Sequence, residues 1–328
     1  YATTLHEGRE IWMSNAREQQ TAMLTDLFPG VPGSSMMSPK FVASPLGFYF
    51  LGLSDADFGQ QLFYYDHAAI HVSHIADVSE DTDAMAVLGT SLLFSNKDPE
   101  HGMEPWIYRA DRPGIERLVD IFPGPVSSDP NHLFSAGGRV YFTAHTEATG
   151  SELWISDGTA EGTVLLADIN PGSETSDVHA FVDGGDRVYF RANTRAHGNE
   201  LWSSDGTTAG TRIVADVWPG PESGQPYNIT AAGNSVFFTA REPDTGEELL
   251  MANFDRGGEV VRVADLAPGP DNAEPHNLQI VGNGMGMFAF KSPKTGPALA
   301  TIDWNVEPPT IKVIELPHAS KTTFTPDS

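Results

Sequence analysis

The chain is predicted to be an all-β protein, a seven-bladed β-propeller of four-stranded antiparallel blades that uses residues 1–328 as a single domain. Three observations predict it. A segment of the form Gly-x-Glu-Leu-Trp returns seven times, a segment ending in an acidic residue returns in step with it, and a pair of apolar runs with hairpin character lies between them. Each period of 43 to 51 residues then holds four strand-sized pieces, close to the roughly 40–50 residues of known propeller repeats. A helical solenoid of similar period is excluded, because β-rich segments rather than 3.6-residue spacing dominate.

The first marker is clearest at Gly150-Ser151-Glu152-Leu153-Trp154-Ile155-Ser156-Asp157-Gly158-Thr159, repeated at Gly198-Asn199-Glu200-Leu201-Trp202-Ser203-Ser204-Asp205-Gly206-Thr207. Weaker copies begin at Gly8, Gly59, Gly102, Gly246 and Gly296. The second marker ends at Asp26, Asp77, Asp120, Asp168, Asp216, Asp265 and Glu315, and five copies run on into Pro-Gly. The hairpin is plainest where His179-Ala180-Phe181-Val182-Asp183 turns through Gly184-Gly185-Asp186 into Val188-Tyr189-Phe190. Seven copies of the last two strands accompany only six complete hairpins, so an inner strand is missing at the N-terminus. The strand-like Thr322-Thr323-Phe324-Thr325-Pro326 is expected to supply it, completing the first blade and removing exposed edges.

Glu152 to Thr159 and Glu200 to Thr207 match the ELWxxDGT signature, and the chain resembles the ELWxxDGT repeat family of bacterial exported proteins. Two copies match in full, and the degenerate copies extend the likeness over nearly the entire chain. The resemblance implies a propeller-like exported protein, placed outside the cell, at its surface or in the periplasm. It implies no reaction.

Composition narrows the function classes. With 19 Lys plus Arg against 44 Asp plus Glu the formal charge is −25, which repels a nucleic-acid duplex or an anionic membrane. The acidic excess fits solubility, salty surroundings, or hard cations such as calcium held by oxygen ligands. No cysteine is present, so disulfides, thiolate metal sites and a cysteine nucleophile are excluded. The 32 Gly and 24 Pro suit many tight turns. No apolar run approaches the roughly 18 residues of a spanning helix, so membrane insertion is not expected. The start at Tyr1 is read as a processed or trimmed end.

Most repeated residues have structural readings. Trp12, Phe63, Trp106, Trp154 and Trp202, once per blade, are read as packing between blades, with a sugar platform as the alternative. Asp157 and Asp205 in their Asp-Gly-Thr segments are read as turn caps, with glycine at positive φ. The acidic series from Asp26 to Glu315 is read as carboxylates accepting turn amides, with a ring of metal sites as the alternative.

Function is sought where the blades differ, at the start of each inner strand. Asn131 and His132, Asp177 and His179, Tyr227 and Asn228, and His276 and Asn277 stand there, with His132, His179, Asn228 and Asn277 in nearly equivalent places. His132, His179, Tyr227, Asn228, His276 and Asn277 are the candidate ligand-binding residues. Glu80, Asp81 and Asp83 form the densest acidic stretch and the candidate calcium site. Further donors are scattered at His101, His145 and His197 with Asp98, Glu100, Glu147, Glu242 and Asp244.

Three functions are expected in order: a non-catalytic extracellular or cell-surface module binding a protein or glycan partner; a propeller hydrolase or lyase acting on a polysaccharide or lactone, with His132 and His179 at its channel mouth; and a calcium-stabilised surface protein. No metalloprotease helix, nucleophile elbow or phosphate loop occurs in the sequence.

Overall fold

The computed structural model describes residues 2–4, 8–15, 20–25, 40–53, 59–254, 258–306 and 308–314. The predicted closing strand at Thr322–Pro326 lies outside them, as do Asp26, Glu315 and the side chain of Trp12. Among the described residues there is no α-helix. The chain divides into two compact units, Tyr1–Thr175 and Ser176–Ser328.

The N-terminal unit holds four antiparallel sheets. The first has three strands, β1 (Ala2–Thr4), β2 (Gly8–Asn15) and β3 (Gln20–Thr25). Four-stranded sheets follow: β4 (Phe41–Ser44), β5 (Gly47–Leu53), β6 (Gln60–Asp66) and β7 (His71–Val78); then β8 (Met85–Leu88), β9 (Ser91–Asp98), β10 (Gly102–Arg109) and β11 (Ile115–Arg117); then β12 (Asn131–Ala136), β13 (Arg139–Thr146), β14 (Gly150–Ser156) and β15 (Val164–Ala167). The C-terminal unit holds three more. They are β16 (His179–Asp183), β17 (Val188–Thr194), β18 (Gly198–Ser204) and β19 (Arg212–Ala215); β20 (Tyr227–Ala232), β21 (Ser235–Glu242), β22 (Gly246–Asn253) and β23 (Val260–Ala264); and β24 (His276–Gly282), β25 (Met285–Ser292), β26 (Gly296–Asp303) and β27 (Thr310–Ile314). Strands adjacent in sequence pair in space throughout, which is the meander of a propeller blade.

Turn chemistry explains the hairpins. Ala136 pairs with Arg139 across Gly137 and Gly138, whose φ of 57° and 72° are the left-handed values that a two-residue hairpin turn requires. The predicted hairpin from His179 to Phe190 forms as β16 and β17. The Asp-Gly-Thr turns also form as read: Asp157 Oδ1 accepts the Thr159 amide at 2.9 Å and its hydroxyl at 2.7 Å, and Gly158 has a φ of 87°.

Several middle strands are buried on both faces, so Val140 to Ala144 read as a continuous buried run, whereas β25 and β26 alternate between buried and more open positions. One face meets one neighbouring sheet. Ala86, Leu93 and Ile107 pack with Val140, Phe142 and Ala144, joined by Trp154. Phe237, Leu249 and Met251 pack with Phe288, Ala300 and Ile302. Trp106 and Trp154 take the packing role predicted for the marker aromatic, each set against such a cluster, whereas Phe63 packs within its own sheet with Phe50 and Tyr65.

In four sheets the marker glutamate ties the blade to the turn that follows it. Glu104, Glu152, Glu200 and Glu248 are wholly buried. Glu200 Oε1 accepts Gly224 N at 2.7 Å and Trp218 N at 3.4 Å, while Oε2 accepts Val217 N at 3.3 Å. Glu104 likewise accepts Ile121 N at 2.9 Å and the Ser128 hydroxyl at 2.6 Å. The sequence reading gave turn amides to the acidic series ending the fourth strand, and Asp216 Oδ2 does accept Gly220 N, at a long 3.4 Å. The shorter turn bonds go to glutamate, which on a longer stem from the third strand reaches under the turn. Asp216 also holds His197 Nδ1 at 2.8 Å, and Asp77 holds the Gln61 side-chain amide at 2.7 Å.

Candidate functional site

The starts of four inner strands share one unusual backbone. In β12, β16, β20 and β24 a bulge follows the first pair: Asn131 faces Thr143, His179 faces Arg191, Tyr227 faces Thr239 and His276 faces Ala289, and in each case the next pair falls three residues later on the inner strand. The residue after that first pair has positive φ, at His132 (53°), Ala180 (58°), Asn228 (51°) and Asn277 (54°). A second positive φ lies three residues earlier, at Asp129 (47°), Asp177 (48°), Gln225 (49°) and Glu274 (48°). Non-glycine residues held there cost on the order of 1–3 kcal/mol each, strain that recurs at ligand-contacting positions. His179 thus corresponds to Asn131, Tyr227 and His276, one place before the left-handed residue, rather than to His132, Asn228 and Asn277. The 48-residue offset between the Gly150 and Gly198 markers likewise carries Asn131 onto His179, so the equivalence read between His132 and His179 is one place out.

In the C-terminal unit the bulges organise their side chains alike. His179 Nδ1 donates to Asp177 O at 2.7 Å and His276 Nδ1 donates to Glu274 O at 2.8 Å. The carbonyl of one left-handed residue therefore sets the tautomer of the imidazole two residues on, putting the ring's lone pair on Nε2 in the neutral form. Tyr227 donates its hydroxyl to Glu247 Oε2 at 2.8 Å; burial, then that bond, raises its pKa. Asn228 Nδ2 donates to Pro275 O at 3.1 Å, tying the start of β20 to that of β24. In the N-terminal unit Asn131 and His132 open β12, exposed, with the His132 amide bonded to Asn131 Oδ1 at 2.7 Å.

Other predicted donors are spent locally. Asp81 lies 3.4 Å from Lys97 Nζ and Asp83 lies 3.2 Å from Lys40 Nζ, with Glu80 in the turn before them. Both are ion pairs between solvent-exposed side chains. Among the described residues no group of three or more His, Asp or Glu is set for a metal. His101 pairs with Asp98 at 2.9 Å, and His145 stacks on Phe122. A cleft of about 990 Å³ in the C-terminal unit is lined by Asp265, Leu266, Phe290, Pro293, Ile311 and Val313 among others. It contains none of the inner-strand starts, so the cleft and the polar inner-strand residues lie at different places.

Sequence reasoning missed Arg191. It lies on β17 opposite His179, half-buried, where the matching positions of other blades hold Thr143, Thr239 and Ala289. Burial lowers its pKa, with Asp177 opposing. The signal was available, since Phe190-Arg191-Ala192 departs from Phe142-Thr143-Ala144 and Phe238-Thr239-Ala240.

Fold and site together define an all-β, propeller-like repeat protein with polar side chains presented at its inner-strand starts. Among solved structures the chain is similar to a prolyl endopeptidase, with 12% identity and a TM-score of 0.52 over 94% of this chain and 46% of that one. It is also similar to the β-propeller domain of the Trilobed protease from Pyrococcus furiosus, with 12% identity and a TM-score of 0.47 over 93% of this chain and 88% of that one. A puromycin-hydrolyzing peptidase of Mycobacterium tuberculosis matches at 13% identity and a TM-score of 0.49, over 97% of this chain and 50% of that one. The first likeness shows a shared fold alone, and this chain spans less than half of that enzyme. No family model and no curated protein matches the chain.

Proposed function

We propose that the chain is a non-catalytic binding module of the extracellular space, cell surface or periplasm, built as seven blades closed by the C-terminal strand, and that it holds a protein or glycan partner at the inner-strand starts of its C-terminal unit. The observation that carries the binding reading is the strained bulge, repeated in β12, β16, β20 and β24 and bearing different side chains each time. A scaffold that repeats its backbone while varying what it presents is suited to recognition. The resemblance to the ELWxxDGT repeat family supports the exported location. The prolyl endopeptidase likeness rests on fold at 12% identity and brings no peptidase chemistry with it.

A glycan array and a pull-down from native surface extract test this, each run with the wild type and with a Tyr227→Ala, Asn228→Ala double variant. The expected result is a reproducible hit weakened at least about tenfold in the variant, the size of a lost interaction of about 1.4 kcal/mol. A blank in both assays, or a hit that the variant leaves unchanged, overturns the reading.

A further inference from the structure

The C-terminal unit carries a cation that the repeat does not account for. Arg109, Arg117 and Arg262 each have a carboxylate of another strand or hairpin within 4.0 Å. Arg191 has none among the described residues; its hydrogen bond is Nε to Asn199 Oδ1 at a long 3.4 Å, and Asp177 acts on it from beyond ion-pair distance. A half-buried charge lacking a counter-ion is costly unless something else supplies one. The nearest acidic influence is Asp177, whose carboxylate lies 3.9 Å from His179 Nδ1 and makes no ion pair with Arg191.

The surroundings say where that counter-ion would come from. Arg191 sits directly across from His179. Asn199, its hydrogen-bond partner, accepts the Gln225 amide on its own carbonyl at 3.1 Å, so Arg191 is linked to the start of β20, where Tyr227 and Asn228 stand. The matching hydroxyl in the next blade, Thr239 Oγ1, donates at 2.7 Å to Pro275 O beside His276, which marks this position as lying beneath the inner-strand starts. A guanidinium presents a planar fork that accepts a carboxylate through two parallel bonds. The rim residues His179, Tyr227, Asn228 and His276 are ring nitrogens, an amide and a phenol, groups that pair with hydroxyls.

We propose that Arg191, with His179 beside it, anchors a carboxylate of an acidic glycan, the uronic acid group of a sugar whose hydroxyls meet the rim. This rests on the binding reading above and narrows it to one ligand class.

The test is calorimetric titration of the full chain with trigalacturonate, its carboxyl-reduced neutral counterpart, and a triglutamate peptide. The key variant is Arg191→Thr, since threonine occupies the same place in two sister blades and is compatible with the fold. Trigalacturonate is expected to bind the wild type at least tenfold more tightly than it binds Arg191→Thr, and at least tenfold more tightly than either the neutral sugar or the peptide binds the wild type. Should Arg191→Thr fail to fold, Arg191→Lys, which keeps the charge and loses the fork, is expected to weaken binding several-fold. Equal binding of the acid and its reduced form, or no loss on substitution, overturns the anchor while leaving the binding module standing. Peptide binding as tight as trigalacturonate binding overturns the ligand class. No binding of any sugar or peptide, together with a blank array and pull-down, overturns both readings.

Discussion

At the scale of single residues the buried glutamates have the clearest measurable consequence. Burial pushes Glu200 and Glu248 up to about 7 from 4.5, against the pull of the turn amides they accept, and Glu104 shifts in the same direction. Between pH 4.5 and about 7 the folded protein therefore holds protons that the unfolded chain has released. Stability from Glu200 and Glu248 is complete below about pH 4.5 and falls as pH rises to about 7, by up to roughly 3 kcal/mol for each of the two. Urea unfolding from pH 5 to 7 should show this loss, and Glu200→Gln should make the slope shallower, at the cost of one acceptor for the Val217 amide. Equal slopes for the two proteins would mean that Glu200 is ionised in the fold. The importance of these glutamates was legible as a repeated letter, but their task was not. Which carboxylate reaches the turn depends on stem length and strand spacing, neither of which a motif displays.

At the scale of the element, the marker glycine at Gly198 is required twice over. Gly198 has a φ of 61°, and a Cβ there would stand 2.1 Å from Glu222 O. Gly198→Ala is expected to lose more than about 2 kcal/mol, whereas Gly59→Ala, where a Cβ meets nothing within 4 Å, should stay within about 0.5 kcal/mol of the wild type in chemical denaturation. Equal effects would show that the close approach of the turn at Glu222 is not what selects glycine. Strands, hairpins and Asp-Gly-Thr turns were all readable, because each is decided by a few consecutive residues. The inner-strand bulges were not. They put Ala180, Gln225 and Glu274 in left-handed conformations, which no local propensity favours and which neighbouring strands impose.

At the scale of the whole molecule, charge dominates. An excess of 25 negative charges repels itself in the compact state, and salt shortens the reach of that repulsion to about 10 Å at 0.1 M and 3 Å at 1 M. The melting temperature should therefore rise by several degrees between about 0.05 and 0.5 M NaCl, with KCl giving the same result. A flat or falling curve would show that the ion pairs lost to screening outweigh the repulsion relieved. The sequence by itself determined the all-β class, the repeat and the order of strands within each blade, because periodicity, turn residues and composition are properties of neighbours along the chain. Only the tertiary structure decided that buried glutamates hold turn amides from beneath, that four inner strands open on a bulge with two left-handed residues, and that Arg191, opposite His179, has no carboxylate within ion-pair distance among the described residues. Those are relations between strands, set by register, bulge and burial, and a register exists only once the strands have paired.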